Sequence, residues 1–246
     1  MKNIFYLLLL STQLFFAQGF EKGNELYRKE QYAEAATEYE NVVKSNKHSA
    51  ELYFNLGNSY YKLNKVAPAI YNYEKALLLN PGDADIENNL KFTHKMMIDE
   101  VKEVPKAGFD KMIHDMTSAF SYNCWAWIAI GFSVGFLLVF CGYYFSGTTL
   151  YKRIFFLLMF VMALGIVLAV LSALFEKERY ENERPAIVFA GIVPVKSEPK
   201  NAATDAFILH EGTKVFVLET LDNWKRVELS DGADGWIESS AIKEVK

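Results

Sequence analysis

The chain has 246 residues, a net charge of −4 and a hydrophobic content of 51%. No local excess of Lys and Arg stands out, which argues against a nucleic-acid partner, because backbone binding needs clustered cations. The apolar residues are concentrated in separate stretches, which excludes one uniform globule and leaves room for two small domains around them.

Residues 1–19 carry Lys2, the apolar stretch IFYLLLLSTQLFF and a closing AQG, the order of a secretory signal. Ala17 and Gly19 supply small residues for cleavage after Gly19; cleavage after Ala17, or retention as a short signal anchor, are the alternatives. In each case the residues that follow are exported. No cysteine follows to support a lipoprotein anchor.

Residues 20–100 repeat with a period of 34: Phe20 with Phe54, Gly23 with Gly57, Asn24 with Asn58, Ala35 with Ala69, Tyr39 with Tyr73 and Glu40 with Glu74. Gly57 and Ala69 belong where two helices approach most closely, and Tyr60 and Tyr73 fill the wider part of that seam. Pro81 stops the second helix. The pattern resembles the tetratricopeptide (TPR) repeat, most closely in the second copy, with Leu56-Gly57, Tyr60, Ala69, Tyr73, Ala76 and Pro81 in place. The resemblance implies repeats at 20–49 and 50–83 and a closing helix at 84–100. It also implies a protein-binding groove along the first helices, at Asn24, Tyr27 and Arg28 in one copy and Glu51, Asn55, Asn58, Tyr61 and Lys62 in the next. Asn24 and Asn55 occupy the asparagine positions with which some such domains clamp a carboxylate. Phe20, Asp85 and Asn89 stand where the accompanying cations belong, which argues against that clamp here.

Residues 101–123 change character. Pro105 and Gly108 break the chain, and Phe109, Met112, Ile113, Met116 and Phe120 then recur at helical spacing, with Lys111, His114 and Asp115 off the stripe. The stripe packs on its own domain or lies on a membrane surface. The stretches 124–145 and 154–175 are uncharged and of membrane-spanning length, and Trp125, Trp127, Tyr143 and Tyr144 suit the interfaces. The short connection 146–153 makes them a hairpin. With an exported N-terminal part, Lys152 and Arg153 fall inside the cell. Cys124 and Cys141 lie roughly 25 Å apart on such a helix, too far for a disulfide. Gly131 and Gly135 offer a small-residue packing face, with Ala169 and Ala173 on the second span, for contact within the hairpin or with a partner's helix.

After a linker at 176–185, residues 186–246 switch to short alternating runs: AIVFA, GIVPVKS, AFILHEG, TKVFVLETL, NWKRVEL and DGWIESS. Five or six strands of this length close a small barrel. VKSEP, Gly212, Trp224 with Val227, and Gly235-Trp236 resemble the bacterial SH3-like domain. In it Trp224 and Trp236 are either core filler or a ligand platform, and the resemblance implies peptides or cell-wall glycan stems (peptidoglycan) as ligands.

Catalytic motifs are contradicted by their surroundings. GFSVG at 131–135 fits a serine-hydrolase pattern that needs a strand-to-helix turn, yet it lies inside an apolar helix. His48, His94, His114 and His210 lack zinc-ligand spacing, and the spans contain no ionisable residue for an ion path. No catalytic residue, metal or cofactor is expected.

The expected fold class is multidomain: all-α TPR hairpins, a two-helix transmembrane hairpin and an all-β SH3-like barrel. That order resembles the BatE-like TPR/SH3 proteins of the Bat aerotolerance operon of Bacteroidetes. The resemblance implies a non-enzymatic scaffold in the inner membrane with both modules in the periplasm. It implies von Willebrand A-type Bat proteins and a MoxR-type ATPase as partners. A competing reading is a peptidoglycan-binding protein whose repeats recruit an envelope enzyme.

Overall fold

The computed structural model describes residues 19–99, 112–113 and 116–246. Apart from Gly19, the expected signal lies outside the described residues, as do Phe109 of the amphipathic stripe and Lys111, His114 and Asp115 beside it. The chain forms two compact units: one combines the part up to Pro105 with Glu183–Lys246, and the other is Lys106–Asn182.

In the first unit, α1 (residues 19–28) and α2 (Tyr32–Lys44) form one hairpin, and α3 (Ala50–Lys62) and α4 (Val66–Leu79) form the next; α5 (Ala84–His94) follows. Ser49 starts α3 by accepting the Leu52 N–H at 3.1 Å, and Asp83 starts α5 by accepting from Asp85 and Ile86, so orphan amides at each helix start are satisfied. The period appears in the turns as well: Glu30 and Asn64, 34 positions apart, both take positive φ, 60° and 55°. It appears again in the packing, where a Cβ on Gly23 would lie 2.5 Å from the Tyr39 ring and one on Gly57 2.7 Å from the Tyr73 ring. Glycine is therefore the residue that lets each hairpin close on its buried tyrosine.

The expected closing helix 84–100 ends earlier, at His94. The chain beyond it is held by other partners. The Asp99 carboxylate accepts the His210 backbone N–H at 2.7 Å, His210 Nδ1–H at 2.6 Å and the Thr213 hydroxyl at 2.7 Å. A carboxylate only accepts, so the His210 contact requires the proton on Nδ1.

His210 and Thr213 belong to the C-terminal sheet of seven strands: β1 (Pro185–Val188), β2 (Ile192–Lys196), β3 (Asp205–His210), β4 (Lys214–Leu221), β5 (Trp224–Glu228), β6 (Asp234–Glu238) and β7 (Ile242–Glu244). Their spatial order is β3-β2-β6-β5-β4-β1-β7, every pairing antiparallel. The seventh strand exceeds the five or six expected; β7 is only three residues long, and it pairs with β1. Most strands alternate, but all four residues of β1 are buried. The cause is cover on both faces. Ala186 and Val188 point into the barrel core, whereas Ile187 joins the core of the helical repeats beside Ile70 and Tyr71. Val245 joins that same core. Gly212, at φ +92°, brings its turn to within contact of α4, where an added Cβ would lie 3.0 Å from Val66 and 3.1 Å from Ile70. Lys214 Nζ reaches the buried carboxylate of Glu74 at 2.7 Å. Repeats and barrel are thus one folded body sharing α4.

The second unit contains α6 (Tyr122–Phe145) and α7 (Thr149–Asn182), both long and apolar enough to cross a membrane. The helices overrun the apolar stretches: α7 starts before Lys152 and Arg153 and continues through 182, across most of 176–185, where a linker is expected. A helix continues into water past its hydrophobic length, so its ends do not mark the bilayer. The two helices pack through Ala129 and Ala169, both buried. A Cβ on Gly165 would come within 2.8 Å of the Phe132 ring, one on Gly142 within 3.0 Å of Phe155, and one on Gly135 within 3.3 Å of Met162. Gly131 takes no part in packing within the hairpin, since it is exposed and an added Cβ would meet nothing within 4 Å. Gly135 and Gly142, seven residues apart, keep to one seam; Gly131 turns off it. Ala173 is half-buried.

Candidate binding surfaces

The first helices of the repeats carry an asparagine ladder built at the same period. Tyr39 donates to Asn24 Oδ1 at 2.7 Å, and Asn55 Nδ2 donates to the same oxygen at 3.1 Å. One repeat on, Tyr73 donates to Asn58 Oδ1 at 2.7 Å and Asn89 Nδ2 donates to it at 2.7 Å. Burial raises the Tyr39 phenol to about 12, with smaller contributions from Tyr27, Glu21 and Glu51 outweighing Arg28. Burial likewise pushes Tyr73 well above its ordinary value. Both phenols therefore stay protonated donors. The ladder fixes the spacing of α1, α3 and α5, and it occupies the Asn24 oxygen. Asn24 and Asn55 bind one another through the Asn24 oxygen and one Asn55 N–H.

Beside the second rung lies a concavity of about 250 Å³ lined by Tyr27, Asn58, Tyr61, Lys62, Asn89 and Phe92. Four of the eight groove residues expected from sequence converge there. Asn24 and Asn55 form the other rung, whereas Arg28 and Glu51 are exposed and do not line the concavity. Sequence reasoning gave Asn89 no binding role and passed over Phe92. The period would have found both, since Asn89 repeats Asn55 and Phe92 follows Asn58 by 34 positions. The lining combines three aromatic rings, amides and one ammonium, a chemistry suited to a peptide with an apolar side chain near an acceptor.

On the barrel, Trp224 and Trp236 are half-buried and absent from the apolar core that contains Val227 and Ile237. Trp224 pairs with Glu238 and Arg226 with Trp236 across β5 and β6. Both indoles therefore sit on the face opposite the core, as diagonal neighbours. A Cβ on Gly235 would meet Val195 at 2.6 Å and the Lys196 carbonyl oxygen at 2.9 Å, so glycine beside Trp236 lets β2 approach β6.

In the second unit, Ser133 donates to the Ala129 carbonyl at 2.8 Å, the i−4 bond of a helical serine. Met112, Met116 and Phe120 of the amphipathic stripe are exposed, while Thr117 is buried and donates to Glu176 at 2.5 Å.

The comparisons agree with this architecture. Residues 23–64 match a family model described as TPR repeat, residues 50–83 one described as Tetratricopeptide repeat, and residues 190–244 one described as Bacterial SH3 domain. No curated protein matches the chain. The chain thus carries tetratricopeptide repeats, two apolar helices and a bacterial SH3 domain, modules that support protein or peptidoglycan binding. Strand β1 precedes the matched SH3 residues, yet it joins the barrel to the repeats.

Proposed function

We propose that the protein is a non-enzymatic, membrane-anchored scaffold whose repeat groove and SH3-like domain bind protein partners. In this reading both modules face the periplasm from the inner membrane, within a Bat-type complex of von Willebrand A-domain proteins and a MoxR-type ATPase. The observation that carries the scaffold reading is the concavity of Tyr27, Tyr61, Lys62 and Phe92, an open aromatic site beside a hydrogen-bonded asparagine ladder. Further support comes from the apolar helices, which would hold it at a membrane where partners are locally concentrated. The proposed domain limits keep the signal at 1–19 and the stretch 101–123 on the membrane surface, with the closing helix ending at His94.

A photo-crosslinking residue at Tyr61 in cells, followed by mass spectrometry, tests this. Recovery of a membrane protein with a von Willebrand A domain is expected. Recovery of no protein at Tyr61, with the full chain instead retained on purified peptidoglycan, would replace this reading by the cell-wall one, which the outward Trp224 and Trp236 favour.

A further inference from the structure

A second cavity, of about 390 Å³, lies on the seam between the repeats and the barrel and shares no residue with the groove. Its walls are Tyr53, Leu56, Tyr60 and Tyr71 from the helices and Phe189 from the barrel. Lys75 from α4 and Lys243 from β7 converge on one ring: their ammonium groups lie 5.5 Å and 4.3 Å from the Tyr71 centroid. Lys75 also sits 5.5 Å from Tyr53, and Lys243 lies 5.8 Å from Phe189.

Two cations beside one ring repel each other, and burial followed by the charge of Lys243 lowers the pKa of Lys75. Among the described residues neither ammonium has a carboxylate within ion-pair distance. The nearby acids are engaged elsewhere, because Glu40 accepts the Tyr60 hydroxyl and Glu74 is held by Lys214. His48, also on the wall, is engaged through Nδ1 with the Tyr53 hydroxyl at 2.6 Å. Lys44 adds a third cation at the lining.

We propose that this seam cavity binds a peptide carboxylate flanked by an aromatic or apolar side chain. The carboxylate sits between Lys75 and Lys243, relieving their repulsion, and the side chain packs against Tyr71 and Phe189. A partner protein's C-terminal chain end supplies this chemistry. The ring-lined walls and the Glu40 carboxylate disfavour a multiply charged phosphate. Because Lys243 and Phe189 come from the barrel, the site exists only while the barrel sits on the repeats.

The full chain in detergent micelles is titrated with a neutral-fluorophore-labelled Ala-Ala-Phe peptide bearing a free carboxylate, and with its terminal amide. Anisotropy is expected to show at least tenfold weaker binding of the amide. Lys75→Met and Lys243→Met should each weaken the acid by about tenfold, Lys75→Arg should retain it, and Tyr61→Ala in the groove should leave it unchanged. Without ligand, Lys75→Met should hold or raise the thermal midpoint, since it removes a desolvated, repelled charge. Equal binding of acid and amide, indifference to both methionine variants, or loss on Tyr61→Ala would overturn the proposal. So would tighter binding of inorganic phosphate or of a wall stem tripeptide, and so would a lowered midpoint for Lys75→Met.

Discussion

Removing the Asp99 carboxylate should loosen the barrel from the repeats without unfolding either part. Its side chain is only 16% exposed and accepts three hydrogen bonds, all between 2.6 and 2.7 Å. Each bond to a charged acceptor contributes about 1.5–3 kcal/mol net. The three share one carboxylate near the surface, so Asp99→Ala should cost about 3 kcal/mol rather than their sum. That corresponds to roughly a 100-fold larger open population. Asp99→Asn keeps one acceptor oxygen and should cost about 1–2 kcal/mol.

The pH dependence has a definite sign. Burial raises the Asp99 pKa, but the His210 N–H, the Thr213 hydroxyl and the His210 ring outweigh it, and the net shift is downward. A depressed carboxylate stabilises the fold above its ordinary pKa, and that contribution fades as pH falls through the folded value. Glu244 is also held low, first by the Arg184 hydrogen bond and then by Lys225 against the opposing effect of burial. The diagnostic is therefore the difference between parent and Asp99→Asn, which should vanish below the ordinary carboxylate range. Amide exchange of β1 and β4 in the full chain, read by mass spectrometry, measures it. Unchanged exchange in Asp99→Ala at neutral pH would refute the reasoning.

Four further substitutions separate competing effects. Gly57→Ala gains up to about 1 kcal/mol of helix propensity but drives a methyl to 2.7 Å from the buried Tyr73 ring; overpacking at about 1–3 kcal/mol should win, lowering the urea midpoint. Glu30→Gly removes a side chain from a left-handed turn at φ 60° and should raise stability by about 1 kcal/mol. In the hairpin, Gly165→Ile should lower the thermal midpoint in micelles because Phe132 fills that space, whereas Gly131→Ile, facing nothing within 4 Å, should be silent.

The local layer of this fold was legible because it repeats. A 34-residue period pairs Gly23 with Gly57 and Tyr39 with Tyr73, and the structure sets each glycine against its tyrosine; the left-handed turns and the asparagine rungs follow the same period but were not read from it. What stayed hidden is non-local. Nothing in VAPAIYNYEKALLL says that α4 is covered twice, although nine of its 14 residues being buried follows from that cover. Ile187 looks like any strand residue until β1 is seen with a core on each face. Gly131 and Gly135 form a plausible pair by spacing, but the seam follows Gly135 and Gly142, a choice made by Phe132, Phe155 and Met162 on both helices.

The shared core also constrains how the chain meets a membrane. Ile187, Phe189 and Val245, from beyond the apolar helices, pack with Ile70 and Tyr71, from before them. Surfaces that bury one another share a compartment, so between them the chain crosses a bilayer an even number of times or not at all. Deleting 149–175 to leave one span should therefore part the barrel from the repeats. Burial of a large apolar side chain contributes about 1.5–3 kcal/mol, so exposing these three forfeits roughly 4–6 kcal/mol after partial compensation by water and detergent contacts. The separated repeats, with Val66 and Ile70 uncovered, should become more sensitive to protease in the vesicle orientation that exposes them. If the repeats of the one-span chain stay as protected as in the parent, the paired crossing is wrong, because the barrel would then have reached its partner from the same side.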